Sequence, residues 1–213
     1  VVAYRKRALF ECGLWDRDLI TEDIGVTWKL ERNFWDVRYE PNALCWMLVP
    51  ETVKGLYRQR KRWAQGGVEV IRTHIDVWRH YKERRIWPVY LDYFLGIFWA
   101  YSFVICALLW TVRLLFDITG SGYSALLPDL GNPLISWKGS VISLMCLIQF
   151  LVSILIDSRY DKSLLKTYFW VVWYPVIYWI FNALSAVVAT PIGLKRDMST
   201  TAVWVSPDRG IKA

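Results

Sequence analysis

The sequence predicts the C-terminal portion of an α/β domain, then an amphipathic segment at a membrane surface, then three transmembrane helices. Three observations lead there. Of the 213 residues, 55% are hydrophobic and 16% aromatic, with 14 Trp, an aromatic load that suits membrane interfaces better than a soluble core. Three apolar runs reach the roughly 20 residues that a helix needs to cross a bilayer. The net charge of +7 is not spread along the chain: between Lys54 and Arg85, ten Lys or Arg stand against three acids, a surplus equal to that of the whole sequence. A basic excess confined to one stretch beside an apolar run fits a face that meets anionic lipid, and argues against a nucleic-acid groove.

Residues 1–52 read as soluble. The stretch "VVAYRKRALFECG" reads as a strand entering a short helix that Gly13 closes. "ITEDIGVTWKLERN" is a helix with Thr21 at its N-cap, Glu22 and Asp23 in the first turn and Asn33 at its end. "WDVRYEP" alternates like a strand and stops at Pro41. Some fifty residues with one or two strands do not build a complete sheet, so residue 1 is expected to fall in mid-domain.

Residues 53–87 are amphipathic. Val68, Ile71, Ile75 and Trp78 share one helical face, and Arg72, Asp76, Arg79 and Glu83 the opposite one. Such a helix lies in the headgroup plane, or else packs on its own soluble domain. Residues 88–194 hold the spans, at about 89–116, 135–156 and 164–192, with Pro175 inside the third. The loop 117–138 is nearly free of positive charge, whereas the loop 157–166 carries Arg159, Lys162 and Lys166. Positive loops stay in the cytosol, which puts residues 1–87 there. Alternation then sends the tail, 195–213, outside, although Lys195 and Arg196 favour the inside. The four cysteines (Cys12, Cys45, Cys106 and Cys146) form no C-x-x-C pair, and His74 and His80 have no metal-site spacing, so free thiols are expected.

Two short motifs remain: "TED", Thr21 to Asp23, and "QRKRW", Gln59 to Trp63. Taken separately, the first is a good helix start and the second a cationic lipid collar. Lipid asks only for charge, however, and that leaves Gln59, Trp63 and the following pair Gly66 and Gly67 unexplained.

In this order, ahead of membrane spans, the two motifs resemble the processive family-two glycosyltransferases. That family's signatures are a T/E-D triplet and a Q-x-x-R-W box on an interfacial helix before a transmembrane channel. "MLVPETVKGLYRQRKRWAQGGVEV" and the tail "WVSPDRGI" are similar to the bacterial subgroup that polymerises β-1,6-linked N-acetylglucosamine for biofilm. The resemblance implies a GT-A-like domain in a multi-pass protein of the bacterial cell (inner) membrane. It implies transfer from UDP-N-acetylglucosamine to a growing polysaccharide with inversion, in one displacement, coupled to export. Asp23 would be the general base, supported by Glu22, and Gln59, Arg62 and Trp63 would bind the donor diphosphate and the acceptor. A Mg2+ or Mn2+ would be held by D-x-D carboxylates upstream of residue 1, with no metal ligand in this chain, so residues 1–213 alone are expected to be inactive. A small membrane partner and activation by cyclic di-GMP are also implied. Other polymers of the same group (hyaluronan, chitin, cellulose) stay open, as does a non-catalytic protein whose basic helix binds the membrane.

The residue types suit that chemistry. An attacking hydroxyl must lose a proton, which calls for one carboxylate base. A helix N-terminus favours the carboxylate anion and so weakens it as a base. Arg offers a planar fork to a phosphate that Lys does not match, and Gln59, three residues before Arg62, shares its helical face. Trp63 gives a flat ring on which a sugar can stack. Trp170, Trp173, Tyr174 and Tyr178 form either a headgroup belt or the wall of a polysaccharide path.

Overall fold

A computed structural model describes residues 2–45, 47–120, 122, 137–171 and 174–203. In chain order it contains α1 (Lys6–Glu11), α2 (Glu22–Arg32), α3 (Val53–Thr73), two 3-10 turns (Ile75–Arg79 and Tyr81–Ile86) and α4 (Trp87–Thr119). Then come α5 (Trp137–Asp157), a third 3-10 turn (Lys162–Thr167), α6 (Tyr168–Val171) and α7 (Tyr174–Lys195). The chain divides into two units, Val1–Tyr101 with Asn182–Ala213, and Ser102–Phe181.

The first unit is organised around α2, whose ends fall where its sequence predicts, with Thr21 at the N-cap and Asn33 at the C-cap. Trp28, on its buried face, packs with Leu19, Val70, Val77, Ile86 and Tyr90 into one core. The Trp28 ring meets His74 and Tyr93 edge-on, at centroid distances of 5.5 and 6.0 Å, a geometry that the aromatic quadrupole favours. A smaller cluster of Ala8, Cys12 and Leu30 seats α1 on α2.

The expected strands are absent among the described residues. Residues 35–40 alternate in sequence but run irregularly, because a strand exists only through the ladder of a neighbour and none of the described residues supplies one. Asp36 there binds Arg38 at 3.4 Å and Arg85 at 3.2 Å.

The amphipathic stretch is also not one helix. α3 starts at the Thr52 cap, whose hydroxyl accepts from Gly55 N–H at 3.0 Å, and it stops at Thr73. His74 turns its ring into the core, with Nδ1 3.0 Å from the Val70 carbonyl, and the chain tightens into 3-10 turns. Arg32 holds those turns. Its Nη1 and Nη2 donate to Asp76 at 3.0 and 2.6 Å, and its Nε lies 2.7 Å from Glu83. Asp76 and Glu83, predicted on an outer polar face, therefore point at α2. The apolar stripe is split as well: Val68 is buried, whereas Ile75 and Trp78 are exposed.

Two stretches, Tyr81–Thr119 and Ile177–Lys195, are long and apolar enough to cross a membrane. Within the predicted third span, 164–192, the described residues form the 3-10 turn, α6 and α7, and residues 172 and 173 lie outside the described residues. Pro175 lies within α7. α5 follows the predicted second span, and its described apolar part, Leu144–Asp157, is shorter than a crossing. Within the second unit, Asp161 caps the 3-10 turn by accepting from Ser163 N–H at 2.8 Å. The Tyr168 hydroxyl donates to the Leu147 carbonyl of α5 at 3.4 Å.

The start of the tail is tied to the first unit. Arg196 Nη1 meets Glu69 Oε2 of α3 at 2.6 Å, and Ala202 N–H donates to the Arg17 carbonyl at 2.7 Å. Residues 196–202 thus pack against the first unit, where Arg196 supplies a cation to the buried Glu69 carboxylate. Trp173 and the stretch "WVSPDRGI" lie outside the described residues.

Candidate active site

The start of α2 and the first half of α3 face each other across a cavity of about 650 Å3. Thr21, Glu22 and Asp23 form one wall, and Arg60, Arg62 and Trp63 the other. Tyr93 of α4 and Asn182 of α7 complete the lining. The two motifs, about forty residues apart in sequence, thus share one pocket.

The glycine pair after the box makes this approach possible. A methyl on Gly66 would overlap the Thr21 side chain, lying 2.9 Å from Thr21 Cβ. A methyl on Gly67 would lie 2.8 Å from Tyr93 Cε1. Lipid binding gives no reason for these glycines, whereas close packing of α3 against the start of α2 and against α4 requires them.

Thr21 is 5% exposed, and its hydroxyl has no hydrogen-bond partner among the described residues. It occupies the N-cap position of α2 without capping the helix through its side chain. Instead, Asp23 Oδ1 accepts from Ile24 N–H at 2.9 Å, which fixes that carboxylate while its second oxygen has no partner among the described residues. Burial, and then the Asp23 charge, push the Tyr4 phenol above its ordinary value of 10, so the field of Asp23 reaches beyond the pocket.

On the α3 side, the Arg60 guanidinium lies over the Trp63 ring, 4.6 Å from its centroid. This cation–π contact steadies an indole that is 43% exposed. The pocket therefore opposes two carboxylates to two guanidiniums, with an aromatic plane beside them. That arrangement can grip a diphosphate and a ring while holding a base near both.

Glu22, Asp23, Arg62 and Trp63 come together as predicted positions. Gln59 does not: it is half-buried on α3 and is not part of the pocket wall. Arg60 takes its place. Its spacing of three residues from Trp63 is a helical-face signal that could have found it. Tyr93 and Asn182 were missed, since nothing local in their apolar helices ties them to a site near residue 23.

Among the described residues, Glu22 and Asp23 are the carboxylates that line the pocket. Consecutive on one helix start, they make no cage for the Mg2+ or Mn2+ that the resemblance implies. Among the described residues no group of three His, Cys, Asp or Glu comes together for a metal either.

Over residues 1–182 the chain matches the family described as Glycosyl transferase family group 2. It is 40% identical over 211 residues to a Staphylococcus epidermidis protein named poly-beta-1,6-N-acetyl-D-glucosamine synthase, which covers 97% of this chain and 49% of that protein. It is 41% identical over 214 residues to a Staphylococcus aureus (strain COL) protein of the same name, with the same coverage. The chain thus spans about half the length of the curated relatives it matches. No solved structure matches it.

Proposed function

This chain belongs to the Glycosyl transferase family group 2, and from that premise we propose that it carries the acceptor-side wall of a membrane-bound processive glycosyltransferase. The donor is UDP-N-acetylglucosamine and the product a β-1,6-linked poly-N-acetylglucosamine, the polymer that the named relatives make. The observation that carries this reading is the shared pocket, in which Glu22 and Asp23 face Arg62 and Trp63.

In the proposed step the acceptor hydroxyl oxygen attacks the anomeric carbon. The bond from that carbon to the phosphate oxygen breaks, and UDP leaves with the electron pair. Asp23 takes the hydroxyl proton on the oxygen that Ile24 N–H does not hold. Arg62 meets the charge that grows on the diphosphate, with a fork suited to two phosphate oxygens. Trp63 offers a ring face to the acceptor sugar, while Arg60 lies over the ring and holds it. Glu22 stands beside Asp23 in the same pocket wall.

The membrane arrangement follows from the first unit. The start of α4 and the end of α7 both pack on α3: Tyr93 against Gly67, and Gly193 with a Cβ position 3.0 Å from the Gln65 carbonyl. The Tyr101 hydroxyl donates to the Val187 carbonyl at 3.2 Å, so the two helices run antiparallel. We read α4 and α7 as full crossings of the bacterial cell membrane, with residues 1–86 and 196–203 both cytosolic. The basic first half of α3 lies at the headgroups.

The test is incorporation of labelled UDP-N-acetylglucosamine into polymer by membranes expressing the native gene. Asp23→Asn should lower turnover by about two to four orders of magnitude with membrane insertion unchanged, since Asn also suits a helix start. Near-normal turnover would move the base elsewhere.

A further inference from the structure

Glu69 is fully buried and takes no part in the pocket. Its carboxylate is satisfied from three directions. Oε2 accepts from Ile20 N–H at 3.3 Å and from Arg196 Nη1 at 2.6 Å, while Oε1 accepts from Gln65 Nε2 at 2.8 Å. Ile20 is the residue just before the "TED" triplet, so α3 grips the chain at the point where α2 is about to begin.

Arg196 is itself held. Its carbonyl accepts from Arg72 Nη1 at 2.7 Å, and its Nη2 donates to the Thr200 carbonyl at 3.4 Å. Met198 packs against the core around Trp28. Ala202 N–H then donates to the Arg17 carbonyl at 2.7 Å. Residues 196–202 therefore form a strap from Glu69 to Arg17, bracketing the loop 17–20 at both ends. That loop sets where α2 starts, and α2 lacks a side-chain N-cap of its own because Thr21 does not supply one. Its anchorage comes from outside, through Glu69.

We propose that the Glu69–Arg196 pair and the strap it begins are a positioning device for Asp23. Arg196 pairs with the buried Glu69 carboxylate at 2.6 Å, and that carboxylate holds Ile20 N–H. That contact fixes the register in which α2 begins and the aim of Asp23 into the pocket. Without Arg196 the buried carboxylate loses its shortest partner and the strap its anchor, and the hold on Ile20 weakens. Neither residue touches substrate, so the effect falls on the geometry of the chemical step and not on donor binding. The inference rests on Asp23 being the base.

The experiment compares variants in native membranes by amide hydrogen exchange and by steady-state kinetics. Arg196→Met should speed exchange over residues 17–24 while leaving α4 unchanged. It should lower kcat for polymer formation about ten- to a hundredfold, the scale of a displacement near 1 Å, with KM for the nucleotide sugar within about twofold. Arg196→Lys, which keeps a cation for Glu69, should recover most of the lost kcat. Should Arg196→Met not accumulate, Ala202→Pro removes the N–H that reaches Arg17, and the same two readouts apply to it. Unchanged exchange over 17–24 overturns the strap, as does faster exchange with wild-type kcat per inserted molecule. Asp23→Asn, measured alongside, reports on the base independently: near-normal turnover there removes the base, whereas unchanged exchange removes the strap.

Discussion

The two halves of α3 do opposite things with neighbouring sequence. The first half, through Trp63, is exposed or half-buried apart from Gly55, and carries the cations. The second half is buried without interruption from Gly66 to Val70, and it includes a fully buried carboxylate. A lipid collar needs only the first half. The second half is what turns a basic helix into one wall of a pocket, because Gly66 and Gly67 admit Thr21 and Tyr93 while Glu69 ties down the chain before Thr21. Charge at the front is therefore given direction by packing at the back.

The largest way to break that contrast is to fill the back. Gly66→Ala should push Thr21 away and lower turnover about a hundredfold, the cost of misplacing a reacting group by about 1 Å. Gly67→Ala should cost less, since the Tyr93 ring edge 2.8 Å away can tilt. Polymer assays normalised to inserted protein check both, and equal losses would deny the glycines separate roles.

A smaller effect is expected at the front. Trp63→Ala should slow polymer extension about tenfold through loss of ring stacking, worth roughly 1–3 kcal/mol for an aromatic platform. Donor hydrolysis without extension should fall less, and measuring the two rates on the same membranes separates acceptor stacking from donor binding.

The smallest effect concerns stability. Burial, with a lesser contribution from Arg32, holds His74 below its ordinary pKa of 6.5, while its hydrogen bond to Val70 pulls the other way. Folding thus keeps the ring neutral, and the unfolded chain binds a proton that the folded one refuses. Stability should fall as pH drops through 6.5 toward the lowered folded value, and level off below it. Thermal unfolding between about pH 7 and pH 5 should show that slope in the native protein. His74→Asn, less stable overall, should flatten it.

What the sequence made legible was local. α2 was readable almost to the residue because its signals (Thr21, the two acids, Asn33) all lie within the helix or beside it. The break in α3 was not, since it depends on Arg32 reaching Asp76, 44 positions away. The strand pattern at 35–40 was real as alternation and empty as structure without a ladder partner. At the site, the motifs named Asp23, Arg62 and Trp63. Tyr93 and Asn182 are brought in by α4 and α7, and Arg196 reaches Glu69 across 127 positions, contacts that no local periodicity encodes.

The central claim is that the basic half of α3 is an active-site wall and not a lipid collar, and one contrast tests it most directly. Arg62 lines the pocket, whereas its neighbour Lys61 does not. In matched membranes, kcat/KM for polymer synthesis is measured for Arg62→Lys and for Lys61→Arg, each of which keeps the charge. A wall predicts a fall of about tenfold or more for Arg62→Lys, since a charge-assisted bond of roughly 1.5–3 kcal/mol is lost with the planar fork, and near-normal activity for Lys61→Arg. Equal, near-normal values for the two variants would contradict it.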